Sequence, residues 1–479
     1  MFVLTAWRQR PATRVVTVAA AVSVAGAVAV ASVGVVTTGS AEPLVAALDG
    51  VVARLVDAAP LLLLLALAWP LALWIAVRPQ RGMLLLVAFV PFDGLLNVLP
   101  TPPFAEGWKE ALLIWTLLWS VLGTVGKQRE RSRFPEFVGP LAIYVGVGLV
   151  SAVFVGGAQA LVGLKIGYLF AGSLVILWLR PFDARDRDRL VSIMMGVGLV
   201  TSLGGLAQQA LGHESVNALG YEYNKTIRFT GGFMRSFSTF DLPFAFGFFL
   251  ATVLLVGVPV AMSEPRRLRS IVFFVTAPVM LLALAFTFVR AAWLVLGIGL
   301  VYHAVHRYRW LLLGVLIAVL GLVMLPGQIA EPAFQAESLG DRQVGWLENI
   351  GQVTAEPFGN GIGATGSAAE KTREVTRLDF EVYQPDNQYF KAVYELGVVG
   401  LWAFALTLIT AFLYLRRVDR QLTGTDRALA DGVAANVLGV GAACWVATYF
   451  EIFPMDLYFW MLLGVVTTCT RVSSSTRSP

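Results

Sequence analysis

The amino-acid sequence predicts an all-α, polytopic integral membrane protein with about fourteen transmembrane helices. Hydrophobic residues make up 57% of the 479 residues, charged residues only 14%, and the mean hydropathy is +0.72. No soluble packing of a chain this long could bury so much apolar surface. Apolar stretches of roughly 17 to 25 residues also recur along the chain, which is long enough to cross about 30 Å of hydrocarbon as helices.

The helices are expected where apolar runs alternate with short basic connections. The first run follows Arg8, Arg10 and Arg14 and is longer than the apolar region of a usual signal peptide, so we expect it to be a retained helix. The predicted helices lie near residues 15–36, 58–77, 83–99, 109–126, 138–156, 160–179, 190–212, 240–262, 270–288, 291–305, 310–326, 392–415, 428–450 and 456–470.

The basic residues also predict the orientation of the chain. Most of the 36 Lys and Arg residues fall in connections on one side, counting from a cytoplasmic N-terminus. Cytoplasmic loops carry the excess of Lys and Arg, so both termini are expected in the cytoplasm. Two long connections, 212–241 and 327–391, are then outside. We expect one transmembrane domain over residues 1–479, with the loop 327–391 forming short helices and part of the active site.

A glycine-rich run, Pro357-Phe358-Gly359-Asn360-Gly361-Ile362-Gly363, lies in the larger of these loops. No predicted strand precedes it, so it does not fit a dinucleotide-binding fingerprint. Gly359, Gly361 and Gly363 are interpreted as shaping the loop close to a substrate, and Asn387, further along the same loop, is assigned the same loop-shaping role. A plain turn is the alternative.

Twelve basic residues depart from the topology rule, because they lie outside or within predicted spans. They include Lys165, Lys225, Arg228, Arg235, Arg290 and Arg342. An arginine in apolar surroundings such as those of Arg290 costs a few kcal/mol unless something pairs with it. A bound anion would do so, and guanidinium groups match phosphate oxygens bidentately, so we predict a diphosphate site. The alternative is that these side chains reach lipid headgroups or pair with carboxylates, and for Lys165 we prefer headgroups.

Metal and redox chemistry have little support in the sequence. There are three histidines and two cysteines, and neither Cys444 nor Cys469 has a partner at metal-ligand or disulfide spacing. We expect no metal and no cofactor. A bound nucleic acid is not expected either, since the net charge of +5 is explained by the basic loops of a membrane protein.

Asp386 is the candidate for general acid/base catalysis. It is a carboxylate expected outside the membrane, just before a helix, and Asn387 follows it. A positioned carboxylate can accept a proton from a sugar hydroxyl. The alternative is that Asp386 caps the N-terminus of the helix and has no part in catalysis.

One motif and its surroundings together resemble the O-antigen ligase and polymerase superfamily. The ligases of that family carry His, then Asn, Ser or Gln, nine residues, Gly, two residues, and Gly, Thr or Tyr. This chain has Asp386-Asn387, nine residues, then Gly397-Val398-Val399-Gly400, so only the leading histidine differs. The glycine-rich run, the arginines at 235 and 290, and Arg342 ahead of Trp346 are similar to the family pattern in their order.

The resemblance implies a membrane glycosyltransferase that uses undecaprenyl-diphosphate-linked glycans at the outer side of the bacterial cytoplasmic membrane. Arg290 would act with Asp386 in catalysis, without metal and with inversion. The partners would be a lipid-linked oligosaccharide donor, a glycan acceptor, membrane lipids and other polysaccharide-assembly proteins. Aspartate in place of histidine is similar to the polymerase branch, and a ligase is the alternative.

Two other classes of function remain open. Many helices with interior charges also fit a polysaccharide or lipid transporter or flippase, although we find no internal repeat of the kind many transporters carry. A scaffold for envelope synthesis would tolerate replacement of Asp386 and of the outer arginines.

Overall fold

The computed structural model describes residues 68–99, 106–124, 134–314 and 356–475, with side chains described as far as residue 469. The chain divides into two compact units, Met1–Arg81 and Gly82–Pro479. In the described part of the first unit, helix α1 spans Ala68–Val77. Its C-terminal end is closed by Arg81, whose guanidinium donates to the Trp74 carbonyl and lies over the Trp74 ring.

The rest of the described chain is mostly helical, with one short hairpin. Three stretches of 3-10 helix, Val90–Asn97, Leu169–Ala171 and Tyr449–Glu451, interrupt or follow α-helices. The elements are α2 Gln80–Phe89, α3 Trp108–Leu122, α4 Val138–Val155, α5 Gly157–Tyr168, α6 Gly172–Leu179, α7 Ala184–Ala218, β1 Phe229–Thr230, β2 Phe233–Met234, α8 Pro243–Ser263, α9 Leu268–Ala285, α10 Arg290–His306, α11 Gly366–Thr376, α12 Gln388–Asp419, α13 Gly424–Ala443 and α14 Met455–Ser475.

The helical membrane fold is confirmed, while the number of spans stays a prediction. Among the described residues, six helical segments are long and apolar enough to cross a membrane: Val138–Val155, Gly157–Leu179, Ala184–Ala218, Pro243–Ser263, Leu268–Ala285 and Gln388–Asp419. The predicted helices 15–36 and 310–326 lie wholly or mostly outside the described residues, as do most of 58–77 and residues 327–355.

Helix α8 is the buried centre of the second unit. Nearly all of its residues are buried, and it packs against α7, α9, α10 and α13. Glycines on α13 allow close contact with α8 and with α10. A Cβ on Gly432 would lie 2.7 Å from Val256 Cα of α8, and one on Gly439 would lie 2.6 Å from the Val295 carbonyl oxygen of α10. Small residues let helix backbones approach where apolar packing alone gives little gain in lipid.

Several boundaries differ from the sequence prediction for local reasons. The helix predicted at 83–99 becomes 3-10 after Phe89, where Pro91 removes a backbone donor. Helix α7 continues beyond the predicted end at 212 by turning at Gly212, whose φ is +77°. Helix α12 begins at Gln388, ahead of the predicted start at 392, and is broken at Gly397, whose φ is +67°. The β-hairpin was not predicted.

Candidate functional site

Two of the predicted arginines lie opposite each other at the base of the hairpin. Gly231 and Gly232 have φ values of +54° and +82°, which suit a two-residue hairpin turn. Phe229 pairs with Met234 and Thr230 with Phe233. The Arg235 amide donates to the Arg228 carbonyl over 2.8 Å, so the two side chains leave the hairpin on one face. Like charges at such positions destabilise a hairpin unless other groups compensate them.

Arg235 is held among groups that offer it little negative charge. Its Nε donates to the Thr287 carbonyl oxygen over 3.0 Å, and its guanidinium lies 4.7 Å from the centre of the Phe244 ring. Burial lowers the pKa of Arg235 to about 10, and the positive charges of Arg228 and Arg290 add to this effect. Arg228 and Arg290 therefore both lie within electrostatic reach of Arg235. We call these three residues the arginine cluster.

Arg290 enters the cluster through a tight bend between α9 and α10. Phe288 has a φ of +50°, which is uncommon for a residue with a bulky side chain, and the Val289 amide donates to Thr287 Oγ1. Arg290 is then the first residue of α10. The N-terminal end of a helix carries partial positive charge and disfavours a cation. Together, the helix end and the arginines form a strongly electropositive place suited to an anion.

The helix that follows Asp386 is capped by Asn387. The Asn387 side-chain oxygen accepts hydrogen bonds from the amides of Tyr389, over 2.8 Å, and of Phe390, over 3.2 Å. The capping role considered for Asp386 therefore belongs to its neighbour, which was predicted only to shape the loop. Asn387 is 1% exposed, whereas Asp386 is on the surface. An exposed carboxylate next to a rigid cap is accessible to a substrate hydroxyl.

The glycine-rich run and the second half of the Asp386 motif form one interlocked backbone structure. The Asn360 amide donates to the Tyr394 carbonyl, the Gly361 amide to the Glu395 carbonyl, and the Val398 amide to the Pro357 carbonyl, over 2.7, 3.0 and 3.1 Å. These bonds cross the break in α12, so the loop supplies partners for backbone groups that the break leaves outside the helix.

Four glycines of these two segments have backbone conformations or close approaches that a side chain would not fit. Gly359, Gly361, Gly363 and Gly397 have φ values of +84°, +97°, +76° and +67°. A Cβ on Gly397 would lie 2.3 Å from the Pro357 carbonyl oxygen, and one on Gly359 would lie 2.6 Å from the Gly397 nitrogen. Gly359 is therefore placed against α12, whereas a Cβ on Gly361 would meet Val155 of α4 and one on Gly363 would meet the Gln159 carbonyl oxygen of α5.

A buried charged cluster, which we did not predict, lies beside this contact. Lys391 Nζ lies 2.5 Å from Glu395 Oε1 and 2.9 Å from Glu451 Oε1, and all three side chains are less than one tenth exposed. The Thr365 amide and hydroxyl both donate to Glu395 Oε1. Burial raises the pKa of Glu451. We call Lys391, Glu395 and Glu451 the lysine cluster. The spacing of Lys391 and Glu395 by four residues was the available signal.

The start of α12 and the start of α10 approach the same end of α13. The Gln388 amide donates to the Cys444 carbonyl, and the Tyr389 hydroxyl to the Gly441 carbonyl, each over 2.8 Å. Helix α10 packs against α13 with Val295 at Gly439. Because Val295 is little more than one turn beyond Arg290, the arginine cluster and the Asp386 segment both belong to the C-terminal end of α13.

Two other predicted site residues lie apart from this arrangement. Lys165, on α5, is 2.8 Å from Glu110 of α3, so it has a carboxylate partner. Arg342, with Trp346, lies outside the described residues.

Within the described ranges there is no group of three or more His, Cys, Asp or Glu side chains placed to hold a metal ion. Cys444 and Cys469 are buried free thiols there. His303 contacts Asp431 and the Leu255 carbonyl in the protein interior, which explains its position by packing and hydrogen bonding.

A comparison with protein families identifies the central part of the chain. Residues 272–405 match a family model described as O-Antigen ligase, Wzy_C. The resemblance to the O-antigen ligase-like superfamily is confirmed. The matched segment includes Arg290, the glycine-rich run and the motif from Asp386 to Gly400. No curated protein matches the chain.

The O-antigen ligase-like segment and the apolar helices support a membrane protein of glycan assembly, with an activity of the ligase or polymerase type that transfers glycosyl groups. Lipid-linked glycans and their acceptors are the general class of substrate for this family.

Proposed function

We infer that this protein polymerises oligosaccharide repeat units carried on undecaprenyl diphosphate at the outer side of the bacterial cytoplasmic membrane. The observation that carries this proposal is the arginine cluster at the N-terminal end of α10. Three guanidinium groups and a helix end suit the two phosphates of a lipid-diphosphate donor. A predicted cytoplasmic location for both termini would place this cluster outside.

In the proposed reaction, the arginine cluster binds the diphosphate of the donor, with Arg342 as a further predicted ligand. The oxygen of an acceptor hydroxyl attacks the anomeric carbon, and the bond from that carbon to the phosphate oxygen breaks. The electron pair leaves with undecaprenyl diphosphate, whose developing charge the arginines stabilise. One displacement inverts the configuration at the anomeric carbon. The activated donor requires neither a metal nor a nucleotide sugar.

Asp386 is proposed to orient the acceptor hydroxyl and to take its proton. Its exposure and its place directly before the Asn387 cap support this role. Lys165 has a weaker claim to the diphosphate than the arginines, because Glu110 already neutralises it. The glycine contact between loop and α12 would hold Asp386 in position.

The lysine cluster supports an enzyme over a transporter, because its buried contacts hold the site rigidly, whereas a transporter needs a mobile site. Three segments of chain meet there through buried ion pairs and hydrogen bonds: the loop at Thr365, α12 and the 3-10 turn Tyr449–Glu451. A ligase remains the second candidate, since replacement of histidine by aspartate is the only feature that favours the polymerase branch.

The test is the size and lipid linkage of membrane and surface glycans in cells that lack the protein, with restored wild-type, Asp386→Ala or Arg290→Ala copies. A polymerase predicts that single lipid-linked repeat units accumulate in the null strain and in both variants. Lys225→Ala is the matched control, because Lys225 is an exposed cation of the same connection; it should restore long chains.

Other patterns would identify the alternatives. Chains of normal length that stay on the lipid would indicate a ligase. An unchanged glycan profile in the null strain would refute both enzymatic functions. A transporter or a scaffold would then be the favoured class of function. Full activity of the Asp386→Ala variant would remove Asp386 from the mechanism.

A further inference from the structure

The hairpin carries a phenylalanine on each face. Phe233 is the first residue of β2, and Arg235 follows directly after this strand. Because the two residues are two positions apart, the Phe233 side chain lies on the face of the arginine cluster. Phe229 pairs with Met234 and lies on the opposite face. The two rings are equally open to the surroundings, with exposed fractions of 39% for Phe233 and 42% for Phe229. They differ in what lies beside them.

Phe233 forms a two-ring surface with Phe288. The ring centroids are 5.9 Å apart and the rings are tilted by 24°. Phe288 is the residue with the left-handed φ of +50°, two residues before Arg290, and the carbonyl before it accepts the hydrogen bond from Arg235. The ring pair therefore borders the arginine cluster at both Arg235 and Arg290. Strained residues of this kind persist where the surrounding structure holds them, often at ligand sites.

We propose that the Phe233 and Phe288 rings bind the sugar ring that is bonded to the donor diphosphate. This proposal rests on the proposed function. The anomeric carbon is one bond away from the diphosphate oxygen, so a diphosphate on the arginine cluster places the first pyranose against its border. The C–H groups on one face of a pyranose are weakly positive and stack on the negative face of an aromatic ring. Such stacking would present the anomeric carbon in one orientation.

Phe229 provides the matched control that distinguishes sugar binding from anchoring at the membrane interface. Aromatic side chains also collect at the membrane interface without any ligand. Phe229 stacks with Tyr223, with ring centroids 6.4 Å apart, and lies against His213. Interface anchoring predicts equal effects from the two phenylalanines of the hairpin, whereas sugar binding predicts an effect of Phe233 alone.

The experiment measures binding of two probes to the purified full-length protein in lipid nanodiscs. One probe is a polyprenyl diphosphate without sugar, and the other carries a single pyranose. The wild type should bind the pyranose probe more tightly. Phe233→Ala should lower the affinity for the pyranose probe by about two- to tenfold and leave the affinity for the sugar-free probe unchanged. Phe229→Ala should change neither affinity. Phe233→Trp should retain the preference.

Phe233→Leu separates loss of the ring from loss of packing, because it keeps apolar volume without an aromatic face; it should behave as Phe233→Ala does. Equal weakening of both probes by Phe233→Ala would overturn the proposal, as would equal effects of the Phe229 and Phe233 variants. If the wild type bound neither probe, the proposed function itself would fail. A wild type that binds both probes with equal affinity would refute sugar stacking and leave the diphosphate site intact.

Discussion

The arginine cluster and the lysine cluster place basic side chains in opposite electrostatic settings. Lys391 has two carboxylates within 3 Å and is almost fully buried. Arg235 has a backbone carbonyl and an aromatic ring as its contacts, and the charges that lower its pKa belong to two other arginines. The comparison indicates that Lys391 is neutralised by carboxylates of the protein, whereas we propose that the anion for Arg235 comes from a bound substrate.

Arginines elsewhere in the same unit support this distinction. Arg187 forms two hydrogen bonds with the Asp426 carboxylate, over 2.7 and 2.8 Å, and Arg269 contacts both Asp188 and Glu264. Those arginines lie in or near connections that are predicted, from the distribution of basic residues, to be cytoplasmic. Arg187 and Arg269 are therefore paired with carboxylates of the protein, whereas the contacts of Arg235 are a backbone carbonyl and an aromatic ring.

The largest expected effect is on stability, from Lys391→Met. This change leaves Glu395 and Glu451 buried together without a cation, and breaking a buried ion pair costs about 3–5 kcal/mol. Chemical unfolding in detergent micelles measures the difference. Lys371→Met is the control, since the exposed pair with Glu374 is worth about 1 kcal/mol or less. Equal losses from the two variants would contradict a structural role for the lysine cluster.

The next effect separates activity from stability at Arg290. Arg290→Ala should lower the rate of glycan transfer by about 100-fold or more, because a charge that stabilises the leaving group is lost. Its free energy of unfolding should fall by much less than that of Lys391→Met, since a cation at a helix N-terminus is unfavourable. Transfer rates and unfolding are measured on the same preparations. A variant that unfolds readily and yet keeps its activity would reverse the comparison.

A smaller effect tests whether the glycine contact holds Asp386. Gly397→Ala puts a side chain at φ +67° and close to the Pro357 carbonyl, so we expect destabilisation by about 1–3 kcal/mol together with reduced transfer. Gly146→Ala, on α4, is the control, because its Cβ would contact nothing within 4 Å. That change should leave stability unchanged or slightly raised. Thermal unfolding compares the two alanine variants.

The smallest effect is a dependence of stability on pH at Glu451. Burial raises the pKa of Glu451 in the folded protein, so the folded state holds its proton more tightly than the unfolded state does. The stability linked to this proton is present below the unfolded pKa, near 4.5, and is lost as pH rises through the folded pKa. Glu451→Gln should remove this loss. Between about pH 4 and 8, the free energy of unfolding of the variant should rise relative to that of the wild type. If the two free energies of unfolding changed in parallel with pH, this linkage to Glu451 would be excluded.

The sequence predicted most of the helical elements, but not how they are interrupted. Apolar runs identified α4, α8, α9 and α10 to within a few residues, because lipid requires long apolar helices whose backbone groups bond internally. The breaks at Gly212 and Gly397 and the 3-10 segments were missed. The break at Gly397 depends on backbone partners from the distant glycine-rich run, which a local pattern does not show. The hairpin was missed because each of its strands has only two residues.

The sequence by itself determined the membrane character of the chain, the family resemblance and the types of residue expected at the site. Those properties follow from composition and from motifs that are contiguous in the chain. Only the tertiary structure decided which charges meet: it gathers Arg228, Arg235 and Arg290, pairs Lys165 with Glu110, and joins Lys391 to Glu451. Residues up to 62 positions apart make these contacts. Because the energy between two charges depends on the distance between them, the role of each charged residue is decided by the packing of the helices.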